Sequence, residues 1–209
     1  ATQLSVTTDG TAPTVALTSN ANDPHSGVFT VTATFSEAVT GFVIGDVVVG
    51  NGSASNFDDS SAPAYTFDVT PTADGAVTVD VATDIAQDSA ARGNAAATQL
   101  SVTTDGTAPT VALTSNANDP QSGVFTVTAT FSEAVTGLTA DEIVVVNGTK
   151  GTLSGSGTTY TIEVTPDADG PVTVVIAADV AADDATNGNT AATQLSVTTD
   201  GTAPTVALT

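Results

Sequence analysis

The chain has 209 residues, no Cys, and 23 acidic residues against only Arg92 and Lys150, a formal net charge of −21. That balance excludes binding to nucleic acid or to anionic membrane surfaces, since both need basic patches. The lack of Cys excludes disulfide bracing and thiol chemistry. No run of about 20 apolar residues is present, so no membrane insertion is expected in this segment. No signal peptide is visible either, and targeting is expected to lie outside this sequence.

An identical stretch of 18 residues, Ala-Thr-Gln-Leu-Ser-Val-Thr-Thr-Asp-Gly-Thr-Ala-Pro-Thr-Val-Ala-Leu-Thr, begins at Ala1, Ala97 and Ala192. Repetition at domain-sized intervals marks a tandem array. Each copy reads as strand, short hinge and strand, with the hinge at Asp9-Gly10-Thr11-Ala12-Pro13 and its equivalents. Residues 1–9 are then the last strand of a preceding repeat, 10–105 and 106–200 two complete repeats, and 201–209 the first strand of a following one. The sequence is expected to be a piece of a longer array, an expectation the missing initiator Met also suggests. A repeat of this size can bury its own core.

Taken in order, the first repeat alternates apolar and polar residues with period two. Phe29, Val31, Ala33 and Phe35 share one parity, as do Tyr65, Phe67 and Val69, and Val77, Val79 and Val81. This is the pattern of half-buried antiparallel strands. Turn residues divide them: Asn22-Asp23-Pro24 with Gly27, the Asn51-Gly52 hairpin signal, and Pro71-Thr72-Ala73-Asp74-Gly75. The expected strands are A at 13–19, B at 27–36, C at 43–50, a short one at 53–57, E at 64–70, F at 76–83 and G at 98–104. About seven strands per repeat predict an all-β fold of tandem immunoglobulin-like β-sandwich domains joined end to end by short linkers.

The second repeat copies the first closely: residues 97–137 match 1–41 except that Gln121 replaces His25. A catalytic role for His25 is therefore not expected, and an exposed loop residue is. The copies diverge through strand C and the segment after it.

Strand direction places the incoming hinge, the B–C loop and the F–G loop on one rim of each sandwich. Carboxylates from all three then converge. In the first repeat these are Asp9, Glu37, Asp84 and Asp88; in the second they are Asp105, Glu133, Asp179 and Asp183, with Asp184 a further possibility. Glu37 continues the inward parity of strand B, where an isolated carboxylate would be costly to desolvate. It either caps backbone N–H groups of the B–C loop or ligates a cation. Ca²⁺ fits this donor set, because it takes six to eight oxygens in tolerant geometry; Mg²⁺ wants stricter geometry, and transition metals want His or Cys. Solvation in a salty medium is the plainer explanation of so much acid and stays open. Asp46 reads equally as a solvated strand end or a ligand. Asp74 and Asp169 are expected for turn reasons, with ligation a remote alternative. Asp58, Asp59, Asp68 and Asp80 read as solvated surface. Asp200 lacks a complete repeat after it, so its site is expected to be empty or incomplete.

Thr-Phe-Ser-Glu-Ala-Val-Thr-Gly at 34–41 and 130–137, Val-Thr-Pro-x-Ala-Asp-Gly-x-Val-Thr-Val at 69–79 and 164–174, and an Asp-rich F–G loop ending in Gly-Asn resemble bacterial Ig-like (Big) repeats. Such repeats recur in very large surface adhesins, including repeats-in-toxin and biofilm-associated adhesins. The resemblance covers both complete repeats. It implies an extracellular extender on the bacterial cell surface, a monomeric rod whose partners are the neighbouring repeats, with Ca²⁺ at or near the joints. It points to the hinge Asp, the Glu of Ser-Glu-Ala-Val and the first F–G carboxylates as ligands. Arg92 departs from the second repeat, which has Asn187 there.

Two other functions compete. A carbohydrate- or surface-binding module would need an exposed aromatic platform, and only Phe42 and Phe57 fall outside the clear core parity. An enzyme would need a nucleophile–base set or a cleft, and no Ser-His-Asp set, Cys or phosphate-cradling loop is present.

Overall fold

The computed structural model describes residues 10–207, and the hinge carboxylate Asp9 lies outside the described residues. The chain divides into two compact units, residues 1–106 and 107–209.

In the first unit β1 (Val15–Ser19), β2 (Phe29–Phe35), β4 (Gly52–Asp58) and β5 (Ala64–Pro71) form a sheet in the order β1-β2-β5-β4. β3 (Val47–Gly50), β6 (Gly75–Val81) and β7 (Leu100–Thr104) form the second sheet, in the order β3-β6-β7. This is the four-plus-three arrangement of an immunoglobulin constant-type sandwich. The period-two alternation fixes the register. Phe29, Val31 and Ala33 stand opposite Val69, Phe67 and Tyr65 on β5, while Val77 and Val79 stand opposite Val102 and Leu100 on β7. These inward sets meet in one core, with Val31, Val69 and Phe67 almost wholly buried.

The second unit repeats the plan. β8 (Val111–Ser115), β9 (Phe125–Val135), β11 (Gly148–Lys150) and β12 (Ser154–Pro166) make the larger sheet. β10 (Ile143–Val146), β13 (Gly170–Ile176) and β14 (Leu195–Thr199) make the smaller one. The all-β expectation therefore holds in both repeats.

Three details were not legible in the alternation. The start of the expected strand C is a single 3-10 turn, Ile44–Asp46 in the first unit and Ala140–Glu142 in the second. Asp46 caps that turn by accepting the Val43 N–H at 2.9 Å, and Glu142 does the same for Thr139. Phe42 is buried, and its ring meets Phe35, Tyr65 and Phe57 edge-on, so both doubtful aromatics belong to the core cluster. His25 is half-buried rather than exposed: its ring packs edge-on against Phe29 and its backbone bridges to Thr104.

Candidate metal centre

Each unit builds its acidic rim from three segments, and backbone hydrogen bonds fasten them together. In the first unit the incoming segment is tied to the end of β2: Thr14 N–H donates to Ser36 Oγ at 3.0 Å, and Ser36 N–H to Thr14 O at 2.9 Å. Ala95 N–H, at the end of the F–G loop, donates to the carbonyl of buried Pro13 at 2.8 Å. Thr40 and Gln87 exchange N–H···O bonds of 2.8 and 2.9 Å, joining the B–C and F–G loops. Glu37 therefore sits, half-buried, between segments that cannot drift apart without breaking ladder-like bonds. The second unit repeats this with Thr110, Ser132, Pro109, Thr190, Thr136 and Ala182.

The F–G loop owes its shape to the Asn of its closing Gly-Asn pair, which in the sequence stands only as part of the family resemblance. Asn94 is 2% exposed; its Oδ1 accepts the N–H groups of Ile85 and Ala86 at 3.1 and 2.9 Å. Its Nδ2 donates to the carbonyls of Ala82 and Ala95, both at 2.8 Å. Asn189 makes the same four bonds in the second unit. Every polar valence of the amide is used, and the loop closes over it. The signal available beforehand was a Gly-Asn pair at the same place in both repeats, but it reads equally as a turn.

This loop presents Asp88 and Asp183, which are 5% and 6% exposed. Asp88 Oδ1 accepts from Ala90 and Arg92 N–H at 2.7 and 2.9 Å, whereas its Oδ2 is buried and has no hydrogen-bond partner among the described residues. Asp183 Oδ1 accepts the Asn187 N–H at 2.9 Å, and Asn187 Nδ2 donates to Oδ2 at 2.9 Å. The Arg92-for-Asn187 difference thus decides whether the second oxygen has an amide donor. In the second unit Glu133 and Asp183 offer oxygens within 4.8 Å of one another.

The remaining acids are placed differently. Asp84 and Asp179 are exposed, with φ of 60° and 61°. Their carboxylates lie over Gly93 and Gly188, where a Cβ would come within 2.0 and 2.2 Å of Oδ1. Asp179 is not in the group with Glu133 and Asp183, and Asp184 is exposed. Asp105 is half-buried, and its N–H donates to His25 O at 3.0 Å at the end of the first unit. Asp200 is exposed and accepts the Thr202 N–H at 3.0 Å. The acids read as plain surface are exposed or half-buried but engaged: Asp68 accepts from Asn56 Nδ2 and the Thr30 hydroxyl, which hold its carboxyl below the ordinary range. Asp80 accepts from Gln99 Nε2, and Asp58 from the Ser60 N–H.

A buried carboxylate oxygen without a donor is an uncompensated cost unless a cation meets it. The oxygens brought together are carboxylates, with no His or Cys among them, which suits a hard cation. The residues present therefore fit Ca²⁺.

Comparison with curated protein sequences gave no match. Among solved structures, Yersinia pseudotuberculosis InvD matches at 15% identity with a TM-score of 0.34, over 90% of this chain and 58% of that one. Yersinia pseudotuberculosis adhesin InvE matches at 14% identity with a TM-score of 0.30, over the same shares. The chain thus spans a little over half the length of these structures. The profile described as bacterial Ig-like domain matches twice, over residues 9–104 and 105–199, and the chain belongs to that family.

Proposed function

We propose that this chain is part of the extender stalk of a bacterial surface adhesin, with joints stiffened by Ca²⁺. The observation that carries the cation is the pair of buried F–G carboxylates, Asp88 with an oxygen that meets no donor among the described residues and Asp183 beside Glu133. In the second repeat Glu133 and Asp183 would hold the ion, with the hinge residue Asp105 as a further ligand. In the first, Glu37 and Asp88 would do so together with Asp9. Asp84 and Asp179 remain outer candidates. The bound ion would supply charge neutralisation and tie the linker carboxylate to the rim of the repeat it introduces. Each linker is short, and its Pro fixes its own φ and restricts the residue before it.

Two further features favour a spacer on the cell surface. The repeats are near-copies, and their aromatic rings are spent on the cores: all are buried except Phe57, which is half-buried and stacked on Tyr65. That leaves no ring platform for a sugar.

The test is calorimetry of the whole chain in millimolar Ca²⁺ and in EDTA, with small-angle scattering of the same samples. Binding at one hundred times the dissociation constant stabilises by about 2.7 kcal/mol. Melting should therefore rise with Ca²⁺, the spread of interdomain angles should narrow, and Glu133→Gln with Asp183→Asn should remove the second repeat's share. Identical melting with and without chelator would sink the proposal.

A further inference from the structure

The opposite rim of each unit holds acids that the cation reading does not use. Asp74 and Asp169 sit in the turns that lead into β6 and β13, and their carboxylates face the outgoing linker. Asp74 Oδ1 accepts the Gly106 N–H at 2.7 Å. Asp169 Oδ1 accepts the Gly201 N–H at 2.7 Å, and its Oδ2 accepts the Thr202 hydroxyl. Such bonds to an ionised acceptor are stronger than neutral ones.

The same segment is gripped from its other flank. His25 N–H donates to Thr103 O and Asp105 N–H to His25 O, both at 3.0 Å. Gln121 does the same for Thr198 and Asp200 at 2.8 and 3.0 Å, so this grip is made by backbone groups and is kept across the His-to-Gln exchange. Thr104 and Thr199, each 3% exposed, donate their hydroxyls to carbonyls of the turn itself. Asn51 and Asn147 hold the turn from below through Ala73 O and Ala168 O at 2.9 and 3.1 Å.

We infer that Asp74 and Asp169 are linker latches, each clamping the first residues of the outgoing linker to the repeat it leaves without any cation. Hydrogen bonds then hold the start of each linker without a cation, and the hinge carboxylate just before the clamped glycine is kept in place whether or not a cation meets it. The latch depends on the carboxylate and not on a missing side chain, since a Cβ at Gly106 or Gly201 would stand 3.6 or 3.7 Å from the Asp oxygen, an ordinary contact. The Thr202 hydroxyl and the Gly201 N–H also hold the Asp169 carboxyl below the ordinary range.

The experiment uses the whole chain in excess EDTA, so that its outcome is separate from that of the calcium proposal. Amide hydrogen exchange and heteronuclear NOEs are read at Gly106 and Gly201. Both amides should be ordered and protected in the wild-type chain. Asp169→Ala should speed exchange at Gly201 at least tenfold and leave Gly106 unchanged, Asp74→Ala should do the reverse, and Asp169→Asn should fall between. A wild-type pH titration supplies a readout that needs no variant: the Gly201 amide shift should follow the Asp169 carboxyl. Unprotected Gly201 in EDTA, unchanged exchange in Asp169→Ala, or a Gly201 shift blind to Asp169 would each overturn the inference.

Discussion

Replacing Asn189 by Ala removes one amide and strands four backbone groups. The Ala181 N–H is in buried surroundings, so leaving it without an acceptor costs about 1–3 kcal/mol. The Val180 N–H and the Ala177 and Thr190 carbonyls are less enclosed and can recruit water, so each lost bond costs about 0.5–1 kcal/mol. Together the change should destabilise the second unit by about 2.5–6 kcal/mol. A domain of this size is stable by only about 5–14 kcal/mol. At about 4–8 °C per kcal/mol, the melting temperature should fall by at least about 10 °C. Differential scanning calorimetry of the whole chain reads this directly. Asn189→Asp keeps the acceptor but loses both donors and buries a charge, so it should be no milder than Ala. A shift of less than about 4 °C in Asn189→Ala, equivalent to under 1 kcal/mol, would show that the F–G loop is not held by this residue.

Gly93→Ala should cost about 1–3 kcal/mol by overpacking, because its Cβ would lie 2.9 Å from the Asp84 Cα, which cannot swing aside as the carboxylate can. Gly188→Ala, with 3.2 Å of clearance to the Asp179 Cα, should be milder. Urea unfolding decides it, and equal stabilities for Gly93→Ala and wild type would refute the steric argument. Asp68 should titrate below an ordinary Asp, because Asn56 Nδ2 and the Thr30 hydroxyl bond its charged form. A depressed folded-state pKa means that this stabilisation is present above the unfolded value of about 3.9 and is lost as pH falls through the lower folded value. Carboxyl NMR titration checks it, Asp68→Asn should flatten the acid limb of stability, and an Asp68 pKa at or above the unfolded value would contradict the assignment.

The strands were legible because a period of two is a local property: the parity of Phe29 to Phe35 already names the buried face. Strand direction followed from strand count, and that alone put Glu133 and Asp183 on one rim. What escaped is non-local. Asn94 bonds groups at 82, 85, 86 and 95, and no periodicity marks a residue that a loop folds around. Asp68 reads as solvated surface, whereas it is half-buried and its hydroxyl donor depends on the β2–β5 register that sets Thr30 opposite it. Asp46 reads in the sequence equally as a solvated strand end or a ligand, because a single 3-10 turn is too short to leave a pattern. The latch of Asp169 onto Gly201 spans 32 positions and needs the closed sandwich to exist.

The chain comes into each unit along β1 or β8 and leaves it along β7 or β14, and these belong to different sheets. A pull on the two ends therefore cannot pass down a single hydrogen-bonded ladder. It is handed from one sheet to the other through the interleaved apolar side chains of the core and through the few backbone bonds that tie Pro13 to Ala95 and His25 to Thr103 and Asp105. The outer ladders, β1 on β2 and β6 on β7, are loaded along their length, so their bonds resist together and not one at a time. The apolar layer that folds the domain thus also shares in bearing its tension.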